Sequence, residues 1–127
     1  IDSATLTSSI LNLPEFTCGK NKHCLDSAKL IAFQKIKDKE IYRKLFNNMD
    51  LSVDIIFPIH DESKIGENCI ESRVYTQSDY PINCGKFIIF ESFPSQTFEK
   101  VESPVQIYFP SLNKKALGLL TIKVYKK

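Results

Sequence analysis

Four cysteines form two spaced pairs, and their type and spacing give the clearest chemical signal in this chain. Cys18 and Cys24 bracket a short loop, and Cys69 and Cys84 bracket a longer one. Four cysteines allow three pairings, and pairing nearest neighbours closes two short loops. Each such bridge stabilises a fold by about 2–3 kcal/mol in the chain-entropy model. The pairs therefore favour disulfide bonds, which persist in oxidising compartments.

Two alternatives use the same thiols differently. They would stay reduced in a cytosolic protein, or they would bind zinc together with His23 or His60. Common zinc modules place only about two to four residues between paired ligands, and neither cysteine pair has that spacing. The sequence therefore favours disulfides over both alternatives, and we expect no metal site.

Catalytic side chains are scarce. An acyl-transfer nucleophile needs a neighbouring base, but the two histidines lie in the first cysteine loop (His23) and at the end of an apolar run (His60). The run His60-Asp61-Glu62 has the residue types of an acid–base or metal cluster, yet its side chains would point in different directions on a solvated loop. The sequence contains no Gly-x-Ser-x-Gly motif and no phosphate-binding loop. We expect a protein that is not an enzyme and needs no cofactor.

Composition and charge restrict the class further. The chain has 127 residues, of which 43% are hydrophobic and 25% charged, and its net charge is +2. A chain of this length forms one domain, residues 1–127. The small charge and scattered basic residues argue against nucleic acid as a partner. The apolar runs are far shorter than the roughly 20 residues that cross a bilayer. Because the first residue is Ile1, we interpret the chain as a mature form without its leader.

Short apolar runs with period-two alternation indicate β-strands. The clearest predicted strands are residues 51–57, 87–90, 105–109 and 119–125, and weaker ones are residues 4–13, 29–36 and 73–76. Residues 37–48 fit either a helix, through the spacing of Ile41 and Leu45, or a bulged strand. Residues 92–103 are predicted to be a loop, and residues 112–117 a hairpin connection. Many short strands separated by polar turns predict an all-β, antiparallel fold, either a sandwich of two sheets or a barrel.

Aromatic side chains are abundant, with nine phenylalanines and five tyrosines. Phe93 and Phe98 lie in a predicted loop that also contains Pro94. Most of the rings are expected to fill the core between the strands. The alternative is that they surround an apolar cavity with a lipophilic mouth.

Four segments resemble the ML lipid-recognition family, which includes the Niemann–Pick type C sterol carrier, the group 2 mite allergens, the ganglioside activator and the lipid A co-receptor. The loop from Cys18 to Cys24 resembles the short N-terminal disulfide loop of that family. Residues 52–59, with the polar loop that follows, resemble the strand leading to the second disulfide. Residues 80–87 and 104–124 resemble a strand opening and the closing hairpin. A third family disulfide has no counterpart, since Thr121 stands where its last cysteine is expected.

The resemblance implies an immunoglobulin-like sandwich that encloses an apolar cavity and holds a lipid there without covalent chemistry. The implied ligand is a sterol, fatty acid, phospholipid or glycolipid, with a receptor or a membrane surface as a further contact. The implied location is secreted, extracellular or the endolysosomal lumen. The predicted lipid-binding side chains are Phe33, Val53, Ile55, Phe57, Phe87, Ile89, Phe93, Phe98, Ile107, Phe109, Ile122 and Val124. The alternative is a solid-core sandwich that serves as an extracellular protein-interaction or adhesion module.

Overall fold

A computed structural model describes residues 3–18, 23–59, 62–70, 84–92, 97–110 and 112–126. The helices and strands are, in chain order, α1 (Ser3–Leu11), β1 (Cys24–Asp26), α2 (Ser27–Ile36), α3 (Glu40–Leu45), β2 (Met49–Phe57), β3 (Lys86–Phe90), β4 (Phe98–Phe109) and β5 (Lys114–Tyr125). In the described part of the chain between β2 and β3, a 3₁₀ turn spans Glu62–Lys64.

The five strands form one mixed sheet in the order β1-β4-β5-β2-β3, and this sheet curls into a half-barrel. β1 pairs in parallel with β4, and all the other pairs are antiparallel. The long β4–β5 hairpin pairs Phe109 with Lys114 at its end, and Asn113, just before β5, has a positive φ of 52°. Asparagine tolerates this left-handed conformation better than most residues do. The strand-rich architecture confirms the predicted β character of the chain.

The strand boundaries agree with the clearest predictions and correct two others. The strands predicted at residues 51–57, 87–90, 105–109 and 119–125 lie in β2, β3, β4 and β5, respectively. Residues 98–103 were expected to be part of a loop, but they form the first half of β4, with charged side chains exposed. β5 begins at Lys114, inside the predicted hairpin connection. The strand predicted at residues 73–76 lies outside the described residues.

Helices replace two of the weaker predicted strands. Residues 4–13 and 29–36 were expected to be extended, but they lie largely in α1 and in α2, and α3 settles the ambiguous segment 37–48 as partly helical. The carboxylate of Asp26 accepts hydrogen bonds from the N–H groups of Ala28 and Lys29, which caps the start of α2. Leu30 and Phe33 then lie on the buried side of the helix. The alternation of apolar residues in 29–36 predicted a strand. The cap at the start of α2 and the three-residue spacing of its buried side chains favour a helix instead.

One face of the sheet packs against the helices, and this packing forms the hydrophobic core. Three buried rings connect the layers: the ring centroid of Phe33 lies 5.0 Å from that of Phe16 and 6.0 Å from that of Phe46. On the sheet side, Leu51 and Ile107 are fully buried in the same cluster. Helices thus occupy the face where a second sheet was predicted. The two-sheet, immunoglobulin-like sandwich is not confirmed, since the described strands form a single sheet.

The cysteines form the predicted nearest-neighbour disulfides, Cys18–Cys24 and Cys69–Cys84. No cysteine is left free, so the alternatives of reduced thiols and of zinc bound by thiolates are both wrong. The first bridge joins Cys18 to Cys24, the first residue of β1. The second fixes the segment after the 3₁₀ turn to the chain just before β3.

Candidate functional site

Most of the predicted lipid-binding side chains are packed core residues. They are at most 9% exposed, and they belong to one contiguous cluster that includes the helix side chains. These residues are Phe33, Val53, Ile55, Phe87, Ile89, Ile107, Phe109 and Ile122. Val124 is partly buried against the same cluster. Because these side chains are nearly inaccessible to solvent and cluster with side chains of the helices, the structure describes them as core residues.

Two predicted lipid-binding residues lie on the surface instead, and a third is not described. Phe57 is 69% exposed and Phe98 is 43% exposed, while Phe93 lies outside the described residues. The reason for Phe57 is a β-bulge in β2: Ile55 pairs with Gly118 but Phe57 pairs with Leu117, so two residues of β2 span one step of β5. The extra residue reverses the alternation, so the Phe57 side chain leaves the core face.

The other face of the sheet, opposite the helices, is called the open face here. A groove of about 230 Å³ crosses it over strands β3, β2, β5 and β4. Most of its lining is polar or charged, with Ile88 and Phe90 adding apolar surface. The charged lining residues are Asp50, Asp54, Lys86, Glu91, Lys100, Glu102 and Lys123. Of these, Asp54 and Lys123 lie in strands that alternation predicted, on the face opposite the core residues, whereas Lys100 and Glu102 lie in the segment that was predicted to be a loop.

Charges of both signs are interleaved across the open face. Asp50 and Lys100 both pair with Lys123, one from each neighbouring strand. The Lys100 Nζ atom lies 3.9 Å from Glu102 Oε1, and the Lys123 Nζ atom lies 5.2 Å from the centroid of the Phe98 ring. Mixed signs at this spacing suit a partner that itself carries both charges, and they do not form the single-sign field that attracts polyanions.

An exposed apolar pair continues the open face toward the end of β2. Phe57 lies directly across from Leu117, which is 46% exposed. Gln106 is the neighbour of Leu117 on β4, and Pro104 lies beside it on the same face. Sequence reasoning assigned Phe57 to the interior and missed Leu117, because neither the bulge nor the cross-strand register is visible in one segment.

At one end of the open face, Asp50 accepts hydrogen bonds from two other segments of the chain. Its Oδ2 atom accepts a hydrogen bond from the Tyr125 hydroxyl, and its Oδ1 atom accepts one from the Ser92 N–H at 2.9 Å. The Tyr125 N–H also donates to the Asn48 carbonyl at 2.7 Å. The hydrogen bond to Asp50 raises the pKa of Tyr125 to about 12, and burial and the negative charges of Asp50 and Glu91 act in the same direction. This cluster joins β2, β5 and the chain after β3.

The raised pKa of Tyr125 predicts an alkaline loss of stability. Below pH 10 Tyr125 is protonated in both the folded and the unfolded chain, so its full contribution to the free energy of unfolding is present. Between its unfolded value of about 10 and its folded value of about 12, only the unfolded chain ionises, and stability falls. We expect the stability difference between the wild type and Tyr125→Phe to shrink by about 1–2 kcal/mol between pH 9 and pH 12. Urea unfolding of both proteins across this range measures it, and a constant difference would contradict the prediction.

The described residues hold no group of three or more side chains that could bind a metal ion. Glu62, from the run His60-Asp61-Glu62 that was predicted to be a solvated loop, is exposed, and His60 and Asp61 lie outside the described ranges. His23 is exposed next to the first disulfide. Among the described helices, none combines the length and the apolar character needed to cross a membrane.

No family model, no curated protein and no solved structure matches this chain. The resemblance to the ML lipid-recognition family therefore stays a prediction from the quoted motifs. The geometry of the chain itself, and above all the open face, is the basis for proposing a function.

Proposed function

We propose that this chain is a non-enzymatic binding domain of an oxidising, extracytoplasmic compartment, and that it binds a protein partner through the open face of its sheet. The observation that carries the proposal is the exposed pair Phe57 and Leu117, which lies beside the charged groove. Protein interfaces commonly combine a small apolar anchor with a polar rim. The bulge that turns Phe57 out of the core places such an anchor on the sheet.

The charges around the anchor define the class of partner. The groove contains both carboxylates and lysines within a few strand positions of one another. A protein or peptide segment offers backbone groups, charges of both signs and apolar side chains, and it can match this mixture. A polyanion or a purely apolar ligand would leave half of these groups unpaired, at a cost in binding energy.

The two disulfides support the proposed compartment. All four cysteines are paired, and disulfides of this kind are rare in reducing compartments. A secreted, extracellular or endolysosomal location is consistent with the bridges and is part of the proposal.

A lipid-carrying role is the second proposal, and the ML resemblance supports it. It requires an apolar cavity, whereas Phe16, Phe33 and Phe46 fill the space between helices and sheet. A lipid would have to displace these rings. Organic extraction and mass spectrometry of the purified protein distinguish the two functions: a stoichiometric lipid favours the carrier, and its absence favours the binding domain.

The binding proposal is tested with a phage-displayed random-peptide library selected on the immobilised protein. We expect the selected peptides to lose affinity by about tenfold or more in the variants Phe57→Ala and Leu117→Ala, because anchor truncations typically cost more than 1 kcal/mol. The matched control is Ile41→Ala, which removes an apolar side chain that is 67% exposed on α3. Peptides that are insensitive to both open-face variants, or that depend on Ile41 instead, would refute the proposal.

A further inference from the structure

The first half of β4 presents an edge of the sheet. On that side β1 pairs only with residues 106–108 of β4, and no other strand in the described ranges pairs with residues 98–104. The Gln106 N–H donates to the His23 carbonyl at 2.8 Å, so even-numbered residues of β4 direct their backbone groups toward this edge. Phe98, Lys100 and Glu102 therefore offer N–H and C=O groups there, and Pro104 offers only its C=O group.

The side chains along this edge are complementary to themselves. If a second copy of β4 runs antiparallel with Val101 opposite Val101, Lys100 of each copy lies opposite Glu102 of the other. In the same register Glu99 faces Ser103, and Phe98 faces Pro104. The pair Lys100–Glu102 then occurs twice on the open face, where opposite charges directly across a strand pair are stabilising.

The backbone groups fit the same register. Lys100 and Glu102 both direct N–H and C=O to the edge, so each pair between copies forms two hydrogen bonds. The Phe98 N–H reaches the Pro104 carbonyl of the other copy, which brings the ladder to about six bonds. Pro104 has no N–H to add, so the ladder ends there, as it does at prolines on edge strands.

We propose that two copies of this chain associate through this edge as a two-fold dimer centred on Val101. The dimer joins the two five-stranded sheets into one continuous sheet. Residues that lie opposite each other across the edge point to the same face of the joined sheet. The open faces of the two copies therefore lie on the same side of the dimer. The inference rests on the β4 edge and stands apart from the proposed partner, although two open faces on one side would strengthen binding to a partner with repeated epitopes.

The edge is short, so we expect a reversible, concentration-dependent dimer. A strand pair of this length buries less area than the roughly 1,200–2,000 Å² typical of stable interfaces. Sedimentation equilibrium from roughly 1 µM to 1 mM covers the corresponding range of affinity. Low ionic strength favours the paired charges, since exposed pairs are screened by salt.

Charge reversal gives a sharp test. Lys100→Glu places Glu opposite Glu across the two-fold axis, and Glu102→Lys places Lys opposite Lys, so we expect each single variant to be monomeric. An equimolar mixture of the two single variants restores every opposite-charge pair, and we expect heterodimers at the concentrations where the wild type dimerises. The double variant Lys100→Glu/Glu102→Lys also restores the pairs and is expected to dimerise with itself.

The matched controls are Lys114→Glu and Glu62→Lys, which make the same charge changes at exposed positions away from this edge, and both are expected to dimerise as the wild type does. Folding is checked by thermal melting. Inside the chain, Lys100→Glu removes both a like-charge pair with Lys123 and the exposed contact with Glu102, and because these small effects oppose each other it should not impair folding. A wild type that stays monomeric, single variants that dimerise unchanged, or a mixture that remains monomeric would each overturn the proposal.

Discussion

Replacing Phe33 with alanine is expected to lower the free energy of unfolding by about 3–5 kcal/mol, as is typical of buried phenylalanines. Phe33 is 1% exposed and lies at the centre of the aromatic cluster, with the Tyr42 ring centroid at 4.8 Å and the Phe16 ring centroid at 5.0 Å. Truncation would remove these contacts and leave a cavity that the rigid sheet cannot close. Urea or guanidinium unfolding followed by circular dichroism measures the change.

The control for this prediction is Phe57→Ala, the same substitution at a residue that alternation also placed inside. Phe57 is 69% exposed, so we expect its truncation to change stability by no more than about 0.5 kcal/mol. The two variants together distinguish a filled core from a lipid cavity. If Phe33 lined an open cavity, its removal would cost far less than the predicted range, and the loss would depend on whether lipid is bound.

Removing the Cys69–Cys84 bridge as Cys69→Ala/Cys84→Ala is expected to cost about 3 kcal/mol, because the bridge spans 15 residues and constrains the unfolded chain. Native contacts depend on it as well. The Cys69 N–H donates to the carbonyl of Lys86, the first residue of β3, and the Gln34 side chain of α2 donates to the Cys69 carbonyl at 3.1 Å. The bridge therefore lies in a segment that is hydrogen-bonded to both the helix α2 and the strand β3.

The comparison variant is Cys18→Ala/Cys24→Ala, which opens a loop with a sequence separation of only 6. The shorter loop predicts a smaller loss, roughly 2 kcal/mol in the same chain-entropy model. Denaturant unfolding of both double variants, and of the wild type under non-reducing conditions, measures the two losses. The prediction is wrong if the shorter bridge proves to contribute more than the longer one.

Local patterns were sufficient for several features. Alternating apolar residues located the strands at residues 51–57, 105–109 and 119–125, since the side-chain period of a strand is a property of the strand itself. The cysteine spacings predicted disulfides, and the nearest-neighbour pairing, one of three that the sequence left open, is the one found in the structure. Loop closure between near neighbours depends on only a few residues.

Short apolar runs were not sufficient to separate helix from strand. Residues 29–36 contain both a three-residue and a two-residue spacing of apolar side chains, and tertiary packing selects between them. The Asp26 cap that starts α2 was a local signal that the prediction did not use. α1 has no such described cap, and its apolar side chains Ile10 and Leu11 are buried against the core of the folded domain.

By itself, the sequence determined a strand-rich, doubly bridged domain and the inward-facing residues of its clearest strands, because alternation, loop closure and hydrophobicity act over a few positions. Only the tertiary structure decided what covers the sheet and which side chains stay outside. Helices pack where a second sheet was expected, and a single bulge opposite Gly118 and Leu117 moves Phe57 from the core to the open face. Such outcomes depend on how distant segments pair with one another. The free energy of that pairing cannot be worked out from the sequence of either segment alone.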